Sequence, residues 1–259
     1  MRLFSPARPR PLPSPPLARR PRGLAIPRTI HQTYSSDGMP DAFAPGIARL
    51  RAVNSGWQYR YWSDKEVHDF IYDAYGWEVL RLFLRINPRY GAARADLFRY
   101  LCIYHFGGVY LDIKSGGSVD LGEVIRAEDV YLLSQWHNAP RGRHPGWGLH
   151  PELADVPGGE YQNWFIIAAA GHPFLEGVIR AVLANLAEYR EERDGTGRLA
   201  VLRMTGPIAY TKAIHPLLSA HEYRLFDAEA AGLRYCTMRD HLRVFGAESY
   251  MRQTTPLVL

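Results

Sequence analysis

Two acidic residues and an arginine stand at spacings that suit the binding of a ligand rich in hydroxyl groups. Asp96 and Arg99 are three residues apart, so on a helix they share a face. They can then pair with each other or present charged hydrogen-bonding groups to a ligand. Asp112 directly follows the apolar run 109–111, which is typical of a strand, and open α/β sheets bind ligands at the carboxyl ends of their strands. These residues therefore predict a polar binding site at one end of a sheet.

The helix and the strand that carry these residues are both visible in the local sequence. Residues 92–106 contain no Gly or Pro and repeat apolar side chains at spacings of three and four, which predicts a largely buried helix. Gly107 falls where a helix end favours a positive φ, and Gly108 allows the chain to reverse without a clash from a Cβ atom. We therefore expect a helix, a Gly-Gly turn and a strand in direct succession, with Asp112 at the end of the strand.

The rest of the chain alternates between strand and helix patterns. Ser63 and Glu66 form a capping box at the start of one further helix, and His172-Pro173 starts another. This alternation predicts an α/β fold: a single domain over residues 24–259, with an open, mostly parallel twisted sheet flanked by helices. The other predicted strands cover 26–33, 57–62, 129–135 and 161–169, and another predicted helix covers 42–54.

The positive charge of the chain is concentrated in its first 22 residues. The net charge is +5, while residues 1–22 hold six arginines, seven prolines and no acidic residue. Without those six charges the remainder carries about −1. Binding to nucleic acid requires a basic face on the folded domain, so we expect no nucleic-acid partner. The composition of residues 1–22 predicts a disordered tail rich in Pro and Arg.

The sequence also bears on location and redox state. No stretch approaches the ~20 apolar residues of a membrane span, and the tail lacks the apolar run of a signal peptide, so we expect a cytoplasmic protein. The basic tail could still contact an anionic membrane surface, at about 1 kcal/mol per basic residue, or it could remain solvated. Since Cys102 and Cys236 are the only cysteines, we expect reduced thiols and no zinc site.

A long irregular segment, residues 137–159, is rich in Gly, Pro and His and lies between two predicted strands. Trp136 precedes this segment and Trp147 lies inside it. Such a segment within a compact domain is typically either functional or disordered. Its aromatic rings could form a platform for the C–H faces of a sugar, or its tryptophans could simply pin the loop to the core. The sequence leaves both possibilities open.

The helix, the Gly-Gly turn, the strand and Asp112 occur together with several further motifs. In combination they resemble glycosyltransferase family 32, whose sugar-binding region contains a DXD motif and which includes initiating mannosyltransferases and capsular-polysaccharide enzymes. The resemblance implies a GT-A-like fold. It also implies a hexosyltransferase that moves a sugar from a nucleoside diphosphate to a hydroxyl of a glycan or lipid-linked acceptor, with retention of the α configuration. The further motifs are the segment IPRTIHQTY at 26–34, Asn163, His172-Pro173-Phe174 and Thr205-Gly206-Pro207.

The resemblance also implies roles for individual residues. Asp96 and Arg99 would hold the donor sugar, and Asp112 would be the first acid of the DXD motif, so that these three form the expected catalytic group. Tyr34 stands where the family has an aromatic residue that stacks on the nucleobase. Backbone N–H groups near Gly206 could meet a phosphate. The full set of expected donor-binding residues is Tyr34, Asp96, Arg99, Gly108, Tyr110, Lys114, Asn163, Gly206, Ser249 and Tyr250.

Lys114 departs from the family pattern, because it occupies the position of the second acid of the DXD motif. An ammonium group repels a divalent cation by about 4 kcal/mol per unit-charge pair at ~4 Å and an effective dielectric of ~20. Two mechanisms remain open. Asp112 could hold Mn²⁺ or Mg²⁺ with water and the donor phosphates, while Lys114 points away. Alternatively, the ammonium itself could neutralise the departing diphosphate.

Each of these residues also has a purely structural explanation. The acid and the arginine of the helix could form a salt bridge, worth roughly 0.3–0.5 kcal/mol if exposed. Asp112 could cap a turn, Tyr34 could be a core aromatic, and Asn163 could satisfy neighbouring backbone groups. For the whole protein, the alternative to an enzyme is a carbohydrate-binding protein that kept the fold and lost catalysis through Lys114.

Overall fold

The structure, a computed structural model, describes residues 15, 17–34, 41–238 and 250–259. Most of the predicted tail, residues 1–14 and 16, lies outside the described residues. Where the tail is described, it packs against the body. Leu17 is buried and its carbonyl oxygen accepts a hydrogen bond from Arg180 Nη2 at 2.9 Å. The backbone N–H of Arg20 donates to the Tyr104 hydroxyl at 3.1 Å, so the end of the predicted disordered tail is part of the packed domain.

A six-stranded sheet forms the centre of the described fold. Its strand order is β2-β1-β3-β6-β5-β7, and β6 runs opposite to the other five. The prediction of a mostly parallel sheet is therefore confirmed. A second, two-stranded sheet pairs β4 with β8 in antiparallel fashion. The strands are β1 (Thr29–Thr33), β2 (Gln58–Trp62), β3 (Gly108–Leu111), β4 (Gly116–Gly117), β5 (Tyr131–Leu133), β6 (Phe165–Ala168), β7 (Arg224–Leu225) and β8 (Leu233–Arg234).

Helices cover both faces of the sheet, and the helices predicted from the sequence are found within two residues of their expected starts. The capping box is present, because the Ser63 side chain accepts from the Glu66 N–H and the Glu66 carboxylate accepts from the Ser63 N–H at 2.9 Å. The helices are α1 (Ala44–Val53), α2 (Asp64–Tyr75), α3 (Trp77–Arg85), α4 (Gly91–Phe106), α5 (Leu121–Val124), α6 (Pro173–Glu188), α7 (Glu191–Asp194), α8 (Gly197–Met204) and α9 (Pro207–Ile214). Short 3₁₀ helices cover Asp41–Phe43, Pro151–Leu153, His215–Ala220 and Tyr250–Arg252.

The strands are shorter than the apolar runs that predicted them. The first begins at Thr29, because Pro27 has no N–H and its carbonyl oxygen instead accepts a turn hydrogen bond from the Thr29 N–H at 2.8 Å. The run 161–169 forms a strand only over Phe165–Ala168. Its polar beginning leaves the ladder and supplies Asn163 to the site described below.

The sheet separates two apolar layers. Tyr110 packs on one side with the buried face of α4 and with α6, while Val109 and Leu111 pack on the other side with residues of α1 and α5. This alternation along β3 follows from the period of two in a strand. Both faces of β3 are therefore buried, and its end is the part that reaches the edge of the domain. No helix among the described residues has both the length and the apolar character that crossing a bilayer requires.

Residues 255–258 close a corner between α3 and α4. The Asn87 N–H donates to the Leu257 carbonyl oxygen at 2.8 Å, and the Tyr90 hydroxyl donates to the Thr255 carbonyl oxygen at 2.6 Å. The Leu257 side chain is fully buried in the same apolar layer as α4. The start of α4, which carries two of the expected site residues, is thus held by a segment more than 160 residues away in the chain.

Candidate functional site

The turn between α4 and β3 brings Asp112 beside the polar face of α4. Gly107 and Gly108 adopt φ angles of 68° and 97°, as their positions after the helix predicted. A Cβ atom on Gly108 would lie 2.6 Å from the Thr29 carbonyl oxygen, so glycine allows β3 to lie directly against β1. Gly108 begins β3 whereas Asp112 follows its end, so Gly108 shapes the sheet at the opposite end of the strand, and its expected donor contact stays a prediction.

Arg99 lies between two carboxylates at the centre of the site. Its Nη2 atom is 3.2 Å from Asp96 Oδ1 and 2.8 Å from Asp112 Oδ1. Nη1 donates to the Asn163 carbonyl oxygen, and the guanidinium lies 4.8 Å from the centre of the Tyr110 ring. The side chains of Arg99 and Asp96 are 4% and 7% exposed, compared with 21% for Asp112. Arg99 therefore holds Asp112 in place. We call Asp96, Arg99 and Asp112 the trio, and Asp112 is its solvent-facing acid.

Asp96 accepts hydrogen bonds on both of its oxygens. Asn163 Nδ2 donates to Oδ1 at 3.1 Å and to the Tyr100 hydroxyl at 2.8 Å, and Thr205 Oγ1 donates to Oδ2 at 2.9 Å. The Tyr100 hydroxyl in turn donates to the Thr205 carbonyl oxygen at 2.9 Å. The Asn163 side chain thus donates through Nδ2 to two side chains of α4, which is a different role from satisfying backbone groups.

The electrostatics of the trio follow from burial and from the shared cation. Burial raises the pKa of Asp96 to about 6, although Arg99 and the hydrogen bonds of Thr205 and Asn163 oppose this increase. Burial acts against the charged form of Arg99, but the surrounding acidic groups, Asp112 foremost, outweigh it and raise its pKa. Arg99 thus stays charged, while Asp96 is the group whose protonation changes near neutral pH.

The other expected residues lie in different environments. Tyr110 is buried beneath Arg99, with its hydroxyl 3.5 Å from Asp112 Oδ1, so it supports the trio from inside the fold. Tyr34 follows β1 and is half-buried, and its ring packs 5.2 Å from that of Phe43. Because β1 and β3 are parallel neighbours, Tyr34 and Asp112 lie at the same edge of the sheet. Stacking of Tyr34 on a nucleobase stays a prediction.

Gly206 does not offer its N–H to a ligand. It caps α9, and its N–H donates to the Val201 carbonyl oxygen at 2.8 Å. A phosphate contact by other backbone N–H groups near Gly206 stays a prediction. Ser249 lies outside the described residues. Tyr250 begins the 3₁₀ helix Tyr250–Arg252, and its diphosphate contact stays a prediction.

Lys114 is directed toward a residue that the sequence did not single out. Its Nζ atom donates to the Tyr235 hydroxyl at 2.8 Å and lies 4.1 Å from the centre of the Tyr235 ring. Ser115 Oγ donates to the Tyr235 carbonyl oxygen at 2.6 Å, which ties the turn after β3 to the residue after β8. Thr205 and Tyr235 are site residues to which the sequence gave no role. Thr205 was recognised as part of the Thr205-Gly206-Pro207 motif, whereas Tyr235 has no local signal.

The residues at this edge do not by themselves make a metal site. Within the described ranges no group of three His, Cys, Asp or Glu side chains could hold a metal ion. Asp112 contributes one carboxylate, and Arg99 already neutralises it at 2.8 Å. Divalent Mn²⁺ and Mg²⁺ take about six oxygen ligands, so the protein donors present here do not fit either ion without a ligand that brings most of the oxygens.

Known proteins show what this arrangement is similar to. The family described as the glycosyltransferase sugar-binding region containing a DXD motif matches residues 40–129. Inositol phosphoceramide mannosyltransferase 1 of Schizosaccharomyces pombe is 30% identical over 203 residues, which are 76% of this chain and 54% of the relative. A mannosyl phosphorylinositol ceramide synthase of Saccharomyces cerevisiae is 34% identical over 96 residues, 37% of this chain and 24% of the relative. The chain thus spans between about a quarter and a half of these relatives' length.

Solved structures support the same fold at much lower identity. The PaToxG glycosyltransferase superposes with a TM-score of 0.55 at 14% identity, covering 77% of this chain and 72% of that one. The UDP-bound glycosyltransferase domain of the YGT toxin superposes with a TM-score of 0.55 at 9% identity, and the match covers 86% of this chain and 82% of that domain. The fold is accordingly that of GT-A glycosyltransferase domains. The part of the chain that carries Asp96, Arg99, Asp112 and Lys114 is thus similar to the glycosyltransferase sugar-binding region containing a DXD motif, which matches residues 40–129.

Proposed function

We propose that this protein transfers a hexose from a nucleoside diphosphate sugar to a hydroxyl group of a glycan or lipid-linked acceptor. The observation that carries the proposal is the position of Asp112, a partly exposed carboxylate at the end of β3 that buried Arg99 holds at 2.8 Å. Such a fixed acceptor group suits the hydroxyls of a sugar ring. The curated relatives are mannosyltransferases by name, which makes mannose the first sugar to test.

The chemistry that this site can perform is mainly positioning and charge stabilisation. Asp112 would hold the donor sugar by hydrogen bonds, with its own orientation fixed by Arg99. Lys114, which Tyr235 directs, would place positive charge near the departing diphosphate. In this mechanism the bond between the anomeric carbon and the diphosphate breaks while the acceptor oxygen forms its bond on the same face, and the hydroxyl proton passes to the departing diphosphate. The α configuration is therefore retained, and no protein nucleophile is needed. Proton NMR of the anomeric product signal tests this stereochemistry.

The remaining expectations concern cofactor, location and partners. The proposal gives Lys114 the neutralising role and leaves Mn²⁺ or Mg²⁺ as an alternative that would depend on oxygens from the donor. Contact of the basic tail with an anionic membrane surface would suit a lipid-linked acceptor. This contact, the cytoplasmic location and the absence of a nucleic-acid partner stay predictions.

The testing experiment is a screen of the purified protein against UDP-, GDP- and dTDP-hexoses, with and without Mn²⁺. Titration calorimetry would report binding, and product analysis would report hydrolysis and transfer. We expect selective binding and turnover of one donor. Asp112→Asn should lower turnover at least about a hundredfold, in the range of removing one charge-stabilising group, while the thermal transition stays within a few degrees. Asp73→Asn, at an exposed position on α2, serves as the matched control.

Two results would contradict the proposal. Near-normal transfer by Asp112→Asn would remove the residue on which it depends. Tight binding of glycans without affinity for any donor would favour the alternative function, a carbohydrate-binding protein whose catalysis was lost through Lys114.

A further inference from the structure

The long segment between β5 and β6 is an ordered loop, and Trp136 fixes its base. Trp136 is 8% exposed, and its indole N–H donates to Glu160 Oε1 at 2.7 Å. Glu160 also contacts His150 Nε2 at 2.7 Å through its other oxygen. Gln135 Nε2 donates to the carbonyl oxygens of Pro157 and Gly159 at 2.8 and 2.9 Å. One tryptophan therefore pins the loop, as the structural explanation of its sequence expected.

The second tryptophan has a different environment. Trp147 is 47% exposed and stands between two glycines with positive φ, Gly146 at 77° and Gly148 at 71°. A Cβ atom on Gly148 would lie 2.6 Å from Glu160 Cγ and 2.7 Å from Trp136 Cδ1. Asn138 Nδ2 donates to the Trp147 carbonyl oxygen at 2.9 Å. The loop thus holds the backbone of Trp147 rigidly while leaving about half of its indole in solvent.

An aromatic wall connects Trp147 to the candidate site. We use this name for Trp136, Trp147, Trp164 and Tyr235. The Tyr235 ring lies 6.4 Å from Trp147, 5.4 Å from Trp136 and 5.9 Å from Trp164, each measured between ring centres. The Lys114 Nζ atom lies 4.1 Å from the centre of the Tyr235 ring, and the Trp164 carbonyl oxygen accepts a hydrogen bond from the Asp112 N–H at 2.9 Å. The wall therefore begins beside Asp112 and Lys114 and ends at the exposed indole of Trp147.

The sheet order determines the side of the site on which the wall lies. Strands β1, β3 and β5 run in the same direction, so their carboxyl ends share one edge. Tyr34 follows β1, Asp112 follows β3, and the loop that begins with Trp136 follows β5. Asp112 consequently lies between the position proposed for the nucleobase and the wall. A second substrate that approaches from the wall would meet the donor sugar at Asp112.

A cluster of charged side chains lies next to His144, whose ring packs against the exposed indole. Arg143 is 42% exposed and pairs with Asp227 and Glu229, and Glu229 also contacts His144 Nε2 at 2.8 Å. The His144 ring lies 4.7 Å from the Trp147 ring. A rigid aromatic face with adjacent carboxylate and guanidinium groups matches a pyranose ring, which has apolar C–H faces and hydroxyls at its rim. An alkyl chain would not use the polar rim.

We propose that Trp147 is the stacking face of an acceptor subsite that binds a pyranose ring. The acceptor role rests on the transfer reaction proposed above, whereas binding of a sugar to the wall does not require turnover. The ring would lie against the exposed face of the indole, with its hydroxyls toward Arg143 and Glu229. Its reacting hydroxyl would then point along the wall toward Asp112.

The test uses the full chain and simple glycosides as probes. Saturation-transfer NMR would measure binding of the methyl α-glycosides of mannose, glucose and galactose, together with the octyl glycoside of each sugar. At least one methyl glycoside should bind, with signals from its ring protons. Trp147→Ala should weaken that binding at least about tenfold, and Trp147→Phe should recover most of it. Trp77→Ala is the matched control, because Trp77 is 52% exposed and lies at the start of α3.

Kinetics then separate the subsite from the reaction itself. With a turned-over donor, Trp147→Ala should raise the acceptor KM at least about tenfold while the donor KM and the acceptor-free hydrolysis rate stay within about twofold. A wild-type protein that turns over no donor would contradict the proposed function, and the NMR comparison would still decide the subsite. The subsite is overturned if no methyl glycoside binds, if only octyl glycosides depend on Trp147, or if Trp77→Ala weakens binding as much as Trp147→Ala.

Discussion

Replacing Arg99 with methionine tests how far the fold depends on the cation that two carboxylates share. Methionine, like arginine, has a long unbranched side chain, but it carries no charge. The guanidinium lies 3.2 Å from Asp96 Oδ1 and 2.8 Å from Asp112 Oδ1, and the side chain is 4% exposed. Removing one partner of a buried ion pair leaves an uncompensated charge, so Arg99→Met should lower the free energy of unfolding by about 3–5 kcal/mol near pH 7.5.

This loss should become smaller as the pH falls. Burial already raises the pKa of Asp96 to about 6, and Arg99 opposes that increase. Without Arg99 the pKa of Asp96 in the folded state rises further above its unfolded value, so the folded variant binds a proton that the unfolded chain does not. Stability therefore increases as the pH falls through the raised pKa. The difference in unfolding free energy between variant and wild type should be clearly smaller near pH 5.

Urea unfolding followed by tryptophan fluorescence at the two pH values measures both quantities. Arg81→Met is the matched control, because Arg81 pairs with Glu78 on the surface of α3 with side chains 31% and 52% exposed. Loss of that exposed pair should cost at most about 1 kcal/mol. The reasoning is refuted if Arg99→Met costs no more than the control, or if its cost is the same at both pH values.

Two further substitutions test the turn and the departure from the family motif. Gly108→Ala should lower the unfolding free energy by about 2 kcal/mol or more, because φ is +97° and the new Cβ would lie 2.6 Å from the Thr29 carbonyl oxygen. Gly56→Ala is the control, because Gly56 has open space around it, and calorimetry should show no such loss for this variant. Equal melting temperatures of Gly108→Ala and Gly56→Ala would contradict this account. Lys114→Asp supplies a second carboxylate two residues after Asp112, so its activity should become more dependent on Mn²⁺ than that of the wild type. Lys114→Met is the control that removes the cation alone, and identical EDTA sensitivity in all three proteins would count against the role given to Lys114.

The parts of the fold that were predictable are those encoded by neighbouring residues. The buried helix α4, its two terminal glycines and the strand before Asp112 follow from periodicity and from backbone conformations that glycine permits. The capping box at Ser63 is likewise a pattern within four residues. Such signals need no knowledge of distant segments, and each appears in the structure close to its expected position.

The parts that were not predictable depend on partners far away in the sequence. Thr205 reaches Asp96 across 109 positions, and Tyr235 reaches Lys114 across 121. Helical spacing correctly paired Asp96 with Arg99, but it could not show that Asp112 completes the trio. The glycines at 108 and 206 show the same limit, because a glycine motif does not reveal whether its N–H and its open space serve a ligand or the neighbouring backbone. Only the packed structure distinguishes these uses.

The corner closed by residues 255–258 has a consequence for how the protein is made. A ribosome releases the chain from its amino end, so α3 and α4 emerge long before the Leu257 and Thr255 carbonyl oxygens that the corner requires. During synthesis the corner around Asn87 and Tyr90 therefore lacks its partners, and the apolar space that Leu257 fills is open. The nascent chain must carry this unfinished corner at the start of α4 through most of its translation, and the corner is completed only after residues 255–257 have left the ribosome.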